Sequence, residues 1–145
     1  MFAYISLLSL LSFGVFVLLS TISPPPDHLL SNLSKKKSEK IRMETADTAF
    51  ERMRGLMFRE KIIPILFVFD SDGIYPIHSN FVKAPFDAVY LSSDGEALEI
   101  FRRIPPNTSL VMPKKKARYL LELPMELTDR LKIEEGDRME WKKIR

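Results

Sequence analysis

Hydrophobic and polar positions divide the chain into three parts with different patterns. Residues 1–23 contain no charged side chain and are dominated by Leu, Phe, Val and Ile, whereas residues 24–40 mix a proline run with Ser, Asn and Lys. From residue 41 onward, short apolar runs alternate with turn residues. An apolar segment of about 20 residues can cross a bilayer as a helix. We therefore predict a transmembrane anchor over 1–23, a flexible basic linker over 24–40 and a β-rich globular domain over 41–145.

The flanks of the apolar segment favour an uncleaved anchor over a secretory signal. The segment lacks a basic start, and prolines at 24–26 directly follow the best cleavage position, where they would hinder cleavage. The linker that follows cannot bury enough apolar surface to fold alone. Its lysines favour a cytoplasmic domain by the positive-inside rule, whereas N-terminal anchors usually export small domains. We predict a single-pass membrane protein and leave the side of the soluble domain open.

The pattern from residue 41 onward predicts a sheet protein with few helices. Thr48 and Glu51 form a capping box at the start of a short helix, and Gly55 marks its end. Asp94–Gly95 between two strand-like runs predicts a hairpin. Further strands are predicted over 41–46, 62–70, 81–91, 117–124 and 137–144, with a second short helix or turn before the last. Six or seven strands with little βα alternation predict a compact β-sandwich or barrel.

Composition and charge narrow the function classes. Of the 22 basic and 19 acidic residues, five and two lie in 1–42, so residues 43–145 carry 17 of each. The basic excess belongs to the tether, and we expect no nucleic-acid partner. The chain has no cysteine and only two histidines, His28 and His78, which excludes thiolate and multi-histidine metal sites. We expect neither a metal nor another cofactor.

Two carboxylates in apolar strands are candidates for chemistry. Asp87 lies between Phe86 and Ala88, and Glu122 lies between Leu121 and Leu123. Burial of a carboxylate costs several kcal/mol unless the group is paired, so partners are expected. The arginines at positions 54 and 59, on either side of Gly55, could each hold a carboxylate by two hydrogen bonds.

Several spaced motifs together resemble one known family. The motifs are RMRGLMFRE, ILFVFD, IHSNFVKAPFDAVYLSSDGE, ARYLLELP and EEGD, in that order. From about residue 41 to 141 the chain resembles the domain of unknown function 192 family. The resemblance implies one β-rich domain of jelly-roll-like character, often exported or anchored at its N-terminus, with no activity assigned. Many members have Trp-Met-x-Asn where this chain has His78 to Phe81, so the chain looks closer to a histidine-bearing branch.

Three interpretations of the polar positions follow. In the first, Arg54 and Arg59 pair with the buried carboxylates and pin the helix to the sheet. In the second, Arg54, Arg59, His78, Asp87 and Glu122 form a site for a small polar or anionic ligand. In the third, His78 is a general base oriented by Asp87 in a hydrolase-like enzyme.

The sequence lacks a phosphate-binding glycine loop, a nucleophile elbow and HExxH, so catalysis has the least support of the three interpretations, and we leave it open. We predict a membrane-anchored β domain that binds a small polar ligand or an envelope protein at the membrane. A purely structural or protein-interaction module is the alternative. We interpret Met53, Met57, Met112 and Met125 as core residues rather than metal ligands.

Overall fold

The computed structural model describes residues 23–145, so the anchor predicted over 1–23 lies outside the described residues except for Ser23. The described residues form eight strands and two short helices, which confirms the prediction of a mainly β fold. No helix in this part of the chain has the length and apolar content to cross a membrane. The elements are β1 (His28–Asn32), β2 (Lys37–Ile41), β3 (Glu44–Ala46), α1 (Ala49–Arg54), β4 (Ile65–Gly73), β5 (Phe86–Leu91), β6 (Ala97–Ile104), β7 (Ala117–Leu123), α2 (Met125–Arg130) and β8 (Met139–Lys143).

The strands form two open sheets. One sheet has the order β2-β1-β8, and the other has the order β3-β4-β7-β5-β6. Only β3 and β4 pair in parallel, and the other named pairs are antiparallel. Between residues 23 and 145 neither sheet closes into a barrel. Of the two architectures left open by the sequence, a layered arrangement of sheets is the one observed.

Both faces of the five-stranded sheet are buried. On one face Val89 and Leu121 pack with Leu30 of the three-stranded sheet and with Leu127 of α2. On the other face the chain segments around α1 and the loops cover a second cluster, which includes Phe67, Ile65, Tyr90, Leu120, Leu56 and Val82. Successive residues of a strand point to opposite faces. The interior strand β5, which lies between β7 and β6, is consequently buried at every position, which explains its apolar run.

The prediction of a flexible linker over 24–40 is wrong for most of that segment. Strand β1 lies between β2 and β8, and Leu30 is completely buried. Asn32 is also buried, and its Nδ2 donates to Leu131 O at 3.0 Å and to Asp137 Oδ2 at 2.7 Å. Composition alone suggested that the segment cannot fold. The missing apolar surface comes from β8 and α2, which are distant in sequence.

Most predicted elements are present with shifted boundaries. The capping box of Thr48 and Glu51 and the helix end at Gly55 are confirmed. The strand predicted over 41–46 is divided, because residue 41 ends β2 and only Glu44–Ala46 form β3. The strand predicted over 81–91 begins only at Phe86, after the proline at position 85.

The interpretation of the methionines as core residues is wrong at two positions. Met53 is 67% exposed and Met112 is 52% exposed. Both therefore contribute apolar surface to the exterior of the domain. Met57 and Met125 are half-buried.

Candidate functional site

The buried carboxyl of Glu122 lies at the centre of the candidate site. Glu122 is on β7 and shares a sheet face with Leu120 of the second apolar cluster, two residues before it. The side chain is only 4% exposed, and its Oε2 has no hydrogen-bond partner among residues 23–145. Burial raises the pKa of Glu122 to about 8, although the nearby charge of Arg59 opposes the rise. At neutral pH the group is therefore mostly an uncharged carboxylic acid.

The end of α1 approaches the Glu122 carboxyl closely because the residue at that end, Gly55, has no side chain. Gly55 has φ +44°, and its amide donates to Glu51 O at 3.0 Å. A Cβ at this position would lie 3.1 Å from Phe67 Cζ and 3.5 Å from Glu122 Oε2. Glycine is thus required both for the backbone conformation and for the close contact with the sheet.

A cavity of about 210 Å³ separates α1 and the residues after it from the segment 76–82. Glu122, Arg52, Arg54 and His78 are its polar lining residues. The apolar lining comes from Met53, Leu56, Met57, Phe67, Pro76, Ile77 and Val82. A second cavity of about 400 Å³ is adjacent, because it shares five lining residues with the first, namely Arg52, Met53, Phe67, Pro76 and Ile77.

His78 and Arg54 reach the cavity from exposed positions. The Nδ1 atom of His78 accepts a hydrogen bond from the Asn80 amide at 3.2 Å. This contact places the proton of a neutral imidazole on Nε2. Arg54 is the last residue of α1 and is exposed. The structure therefore brings together three of the five predicted site residues, namely Arg54, His78 and Glu122.

Arg59 is close to the cavity but has a structural role. Its Nε donates to Gly55 O at 2.8 Å, and its two terminal nitrogens donate to the Glu44 carboxylate at 3.0 and 2.6 Å. Arg59 thus connects the turn after α1 to β3. The first interpretation is correct in that an arginine fixes the helical segment to the sheet, but its partner is Glu44 rather than Glu122 or Asp87.

Asp87 does not belong to this site. It alternates along β5 with Phe86 and Ala88 of the second apolar cluster, so its side chain lies on the opposite face of the sheet from Glu122. Asp87 Oδ1 accepts from the Arg103 amide at 2.7 Å, and its Oδ2 lies 3.9 Å from Arg102 Nη1.

Asp87 lines a different cavity of about 390 Å³, beside α2. The expected convergence of His78, Asp87 and Glu122 is therefore wrong, and Asp87 cannot orient His78 in this arrangement.

The lining of the Glu122 cavity combines polar groups with apolar side chains. No group of three or more His, Asp or Glu side chains in the described part of the chain is arranged to hold a metal ion. A neutral carboxylic acid can both donate and accept a hydrogen bond, and apolar side chains can enclose a hydrocarbon group. Sequence reasoning missed Met53, Met57 and Phe67 as lining residues. Their apolar side chains look like core residues in the sequence, and only the folded structure shows that they border a cavity.

The comparison with protein families gives a match over most of the chain. The model of domain of unknown function 192 (DUF192, described as "Uncharacterized ACR") matches residues 31–141. The match begins about ten residues before the sequence resemblance noted above, and it includes the end of β1.

Archaeal relatives match at about 30% identity. A UPF0127 protein of Pyrococcus furiosus is 30% identical over 115 residues, which cover 78% of this chain and 97% of the relative. A UPF0127 protein of Thermococcus sibiricus is 32% identical over 116 residues, covering 78% of this chain and 74% of the relative.

Two bacterial crystal structures share the fold. A proposed transcription regulator of Sinorhizobium meliloti has a TM-score of 0.71 at 24% identity and covers 81% of this chain and 94% of its own. A protein of unknown function from Novosphingobium aromaticivorans has a TM-score of 0.69 at 23% identity, with coverage of 79% and 84%. At these identities the similarity shows the fold alone. With the family match over residues 31–141, the chain belongs to the domain of unknown function 192 family.

Proposed function

We propose that this protein is a membrane-anchored domain that binds a small amphipathic anion in the Glu122 cavity. One observation carries the proposal, namely that Glu122 lines a cavity with a buried carboxyl, one oxygen of which has no hydrogen-bond partner among residues 23–145. An unsatisfied buried polar group costs about 1–3 kcal/mol. A ligand that hydrogen-bonds to Glu122 would remove that cost.

The chemistry of the lining supports this ligand class. The neutral acid of Glu122 can donate a hydrogen bond to a carboxylate or phosphate oxygen of the ligand, and Arg54 supplies positive charge. Met53, Met57 and Phe67 offer apolar surface for a hydrocarbon group. The volume of about 210 Å³ is below the ~300–1,000 Å³ typical of drug-sized ligands, so the part of the ligand that enters this cavity is small.

Membrane anchoring is the second part of the proposal and is supported by residues 1–23, which are apolar and free of charged side chains. A hydrolase-like activity that uses His78 and Asp87 has no support in the geometry, because these residues line different cavities. Binding rather than catalysis is the function that we propose.

A thermal-shift experiment on the full-length chain in mild detergent tests the binding proposal. We expect at least one of butyrate, hexanoate and octanoate to raise the melting temperature. The physical reason is that a ligand at a hundredfold excess over Kd stabilises the folded state by about 2.7 kcal/mol. The shift should be lost in Arg54→Met and in Glu122→Met, which keep a side chain of similar length but remove the positive charge and the hydrogen-bonding carboxyl, respectively.

Asp87→Asn is the matched control, because Asp87 lies on the other face of the sheet. This variant should keep the full shift. Equal shifts in all four proteins, or no shift with any of the three carboxylates, would contradict the proposal.

A further inference from the structure

Four large apolar side chains are exposed around α1 and the segments beside it. Phe50, Met53, Phe58 and Phe81 are 68, 67, 67 and 58% exposed. We call these four residues the apolar rim. Single exposed apolar residues are ordinary on a protein surface, but a cluster of them marks a surface of interaction.

Two of the rim residues, Phe58 and Phe81, contact each other through both side chain and backbone. The rings of Phe58 and Phe81 stack with centroids 4.8 Å apart, and the Phe58 amide donates to Phe81 O at 3.0 Å. Both residues have left-handed backbone conformations, with φ of +61° and +60°. Such conformations are unfavourable for aromatic residues, so the turns that present these two rings are held by their surroundings.

The rim also borders the Glu122 cavity. Met53 lines the cavity directly, and the residues next to Phe58 and Phe81 in sequence, Met57 and Val82, line it as well. A molecule that enters this cavity from the rim side would pass apolar surface first and meet Glu122 last.

The tether enters the domain at the same end as the rim. Asp27 Oδ1 accepts a hydrogen bond from the Met43 amide at 3.0 Å. The next residue, Glu44, accepts two hydrogen bonds from Arg59, which follows Phe58 of the rim in sequence. Glu44 and Phe50 also line one small cavity. Only three residues, all prolines, lie between Asp27 and the end of the predicted anchor at Ser23, and the four Cα-to-Cα steps span at most about 14 Å. The anchor would therefore hold this end of the domain close to the bilayer.

We infer that the apolar rim rests on the surface of the lipid bilayer, so that the Glu122 cavity takes its amphipathic ligand from the membrane. Phenylalanine is typical of the apolar face of segments that lie on a membrane, where it enters the boundary between headgroups and acyl chains. The exposed cations Arg54 and Lys61 lie beside the rim in sequence and suit the headgroup phosphates, whereas Lys83 is paired with Glu60. The inference rests on the proposed anchor and ligand class, and it adds the orientation of the domain and the source of the ligand.

Tryptophan fluorescence of the full-length chain in phosphatidylcholine vesicles tests the orientation. In a Trp141→Phe background, single tryptophans are introduced as Phe58→Trp, Phe81→Trp and Leu33→Trp. Leu33 is the control, because it is 48% exposed and follows the end of β1 farthest from Asp27.

Replacement of the lipid by dibrominated phosphatidylcholine should quench positions 58 and 81 at least about twofold, since interfacial side chains lie about 5–10 Å into the boundary between headgroups and acyl chains. Position 33 should not be quenched. Quenching of positions 58 and 81 that is no stronger than at position 33 would overturn the inference. The thermal-shift experiment in detergent does not depend on this orientation, so the two proposals can fail separately.

Discussion

The burial of Glu122 follows from its strand, whereas its pKa and its hydrogen bonding depend on residues distant in sequence. Its neighbours Leu121 and Leu123 predict burial from the sequence, and the side chain is 4% exposed. The sequence also suggested an arginine partner. The structure instead leaves Oε2 without a partner among the described residues, because the guanidinium of Arg59 is occupied by Glu44 and Gly55.

The unfolding free energy should depend on pH through Glu122. The folded-state pKa of about 8 lies above the ordinary value of 4.5, so the folded protein keeps a proton that the unfolded chain releases. The stability from the protonated form is fully present below pH 4.5 and is lost as the pH rises through about 8.

Urea denaturation at each pH gives the unfolding free energies of the wild type and of Glu122→Gln. The wild-type value minus the variant value should fall by up to about 1.4 kcal/mol per pH unit in this window. Glu126→Gln, at an exposed position of α2, should give a difference that does not change with pH. A flat difference for Glu122→Gln would show that the carboxyl is paired or hydrated.

Gly55→Ala should destabilise the domain by about 1–3 kcal/mol, because a Cβ would be added at φ +44° and only 3.1 Å from Phe67 Cζ. Gly136→Ala is the matched control. Gly136 also has a positive φ, of +90°, but nothing lies within 4 Å of its added Cβ. The loss in unfolding free energy should therefore be larger at position 55, and equal losses would mean that the close approach to the sheet is unimportant.

At the scale of elements, the sequence predicts local structure well where a local signal exists. The capping box of α1, its end at Gly55 and the turn at Asp94–Gly95 are all determined by neighbouring residues. The first hairpin has no such signal. Its strands β1 and β2 are polar overall, and β1 is ordered by pairing with β8, more than a hundred residues later, while β2 pairs with β1.

The integration of β1 predicts different costs for two leucine truncations. Leu30→Ala should reduce the unfolding free energy by about 2–5 kcal/mol, because Leu30 is completely buried. Leu33→Ala, at a 48% exposed position in the adjoining turn, should change it by no more than about 0.5 kcal/mol. Urea denaturation of both variants measures the difference. Equal small effects would restore the interpretation of this segment as a linker.

At the scale of the whole molecule, the five-stranded sheet separates two polar regions. Asp87 contacts Arg102 and Arg103 on the side of α2, whereas Glu122 lines the cavity beside α1. The register of β5 against β7 places Ala88 opposite Glu122, and strand alternation then directs the two carboxyls to opposite faces.

This separation predicts that Asp87 and Glu122 act independently. In a double-mutant cycle of Asp87→Asn and Glu122→Gln, the unfolding free energies should add within about 0.5 kcal/mol. A shared site would instead give a coupling energy of about 0.5–3 kcal/mol. Denaturation of the four proteins at one pH measures the coupling, and a value above that limit would contradict the division into two regions.

The sequence by itself determined the mainly β class, the caps and turns, the burial of Asp87 and Glu122, and the resemblance to the family. These features depend on neighbouring residues or on ordered motifs. Only the tertiary structure decided that the first hairpin belongs to the domain, that Arg59 pairs with Glu44, and that Asp87 and Glu122 face opposite ways. Strand order, register and the partner of each charge arise from contacts between residues far apart in the chain. Alternation within a single strand shows which side chains share a face, but it does not specify the element against which that face packs.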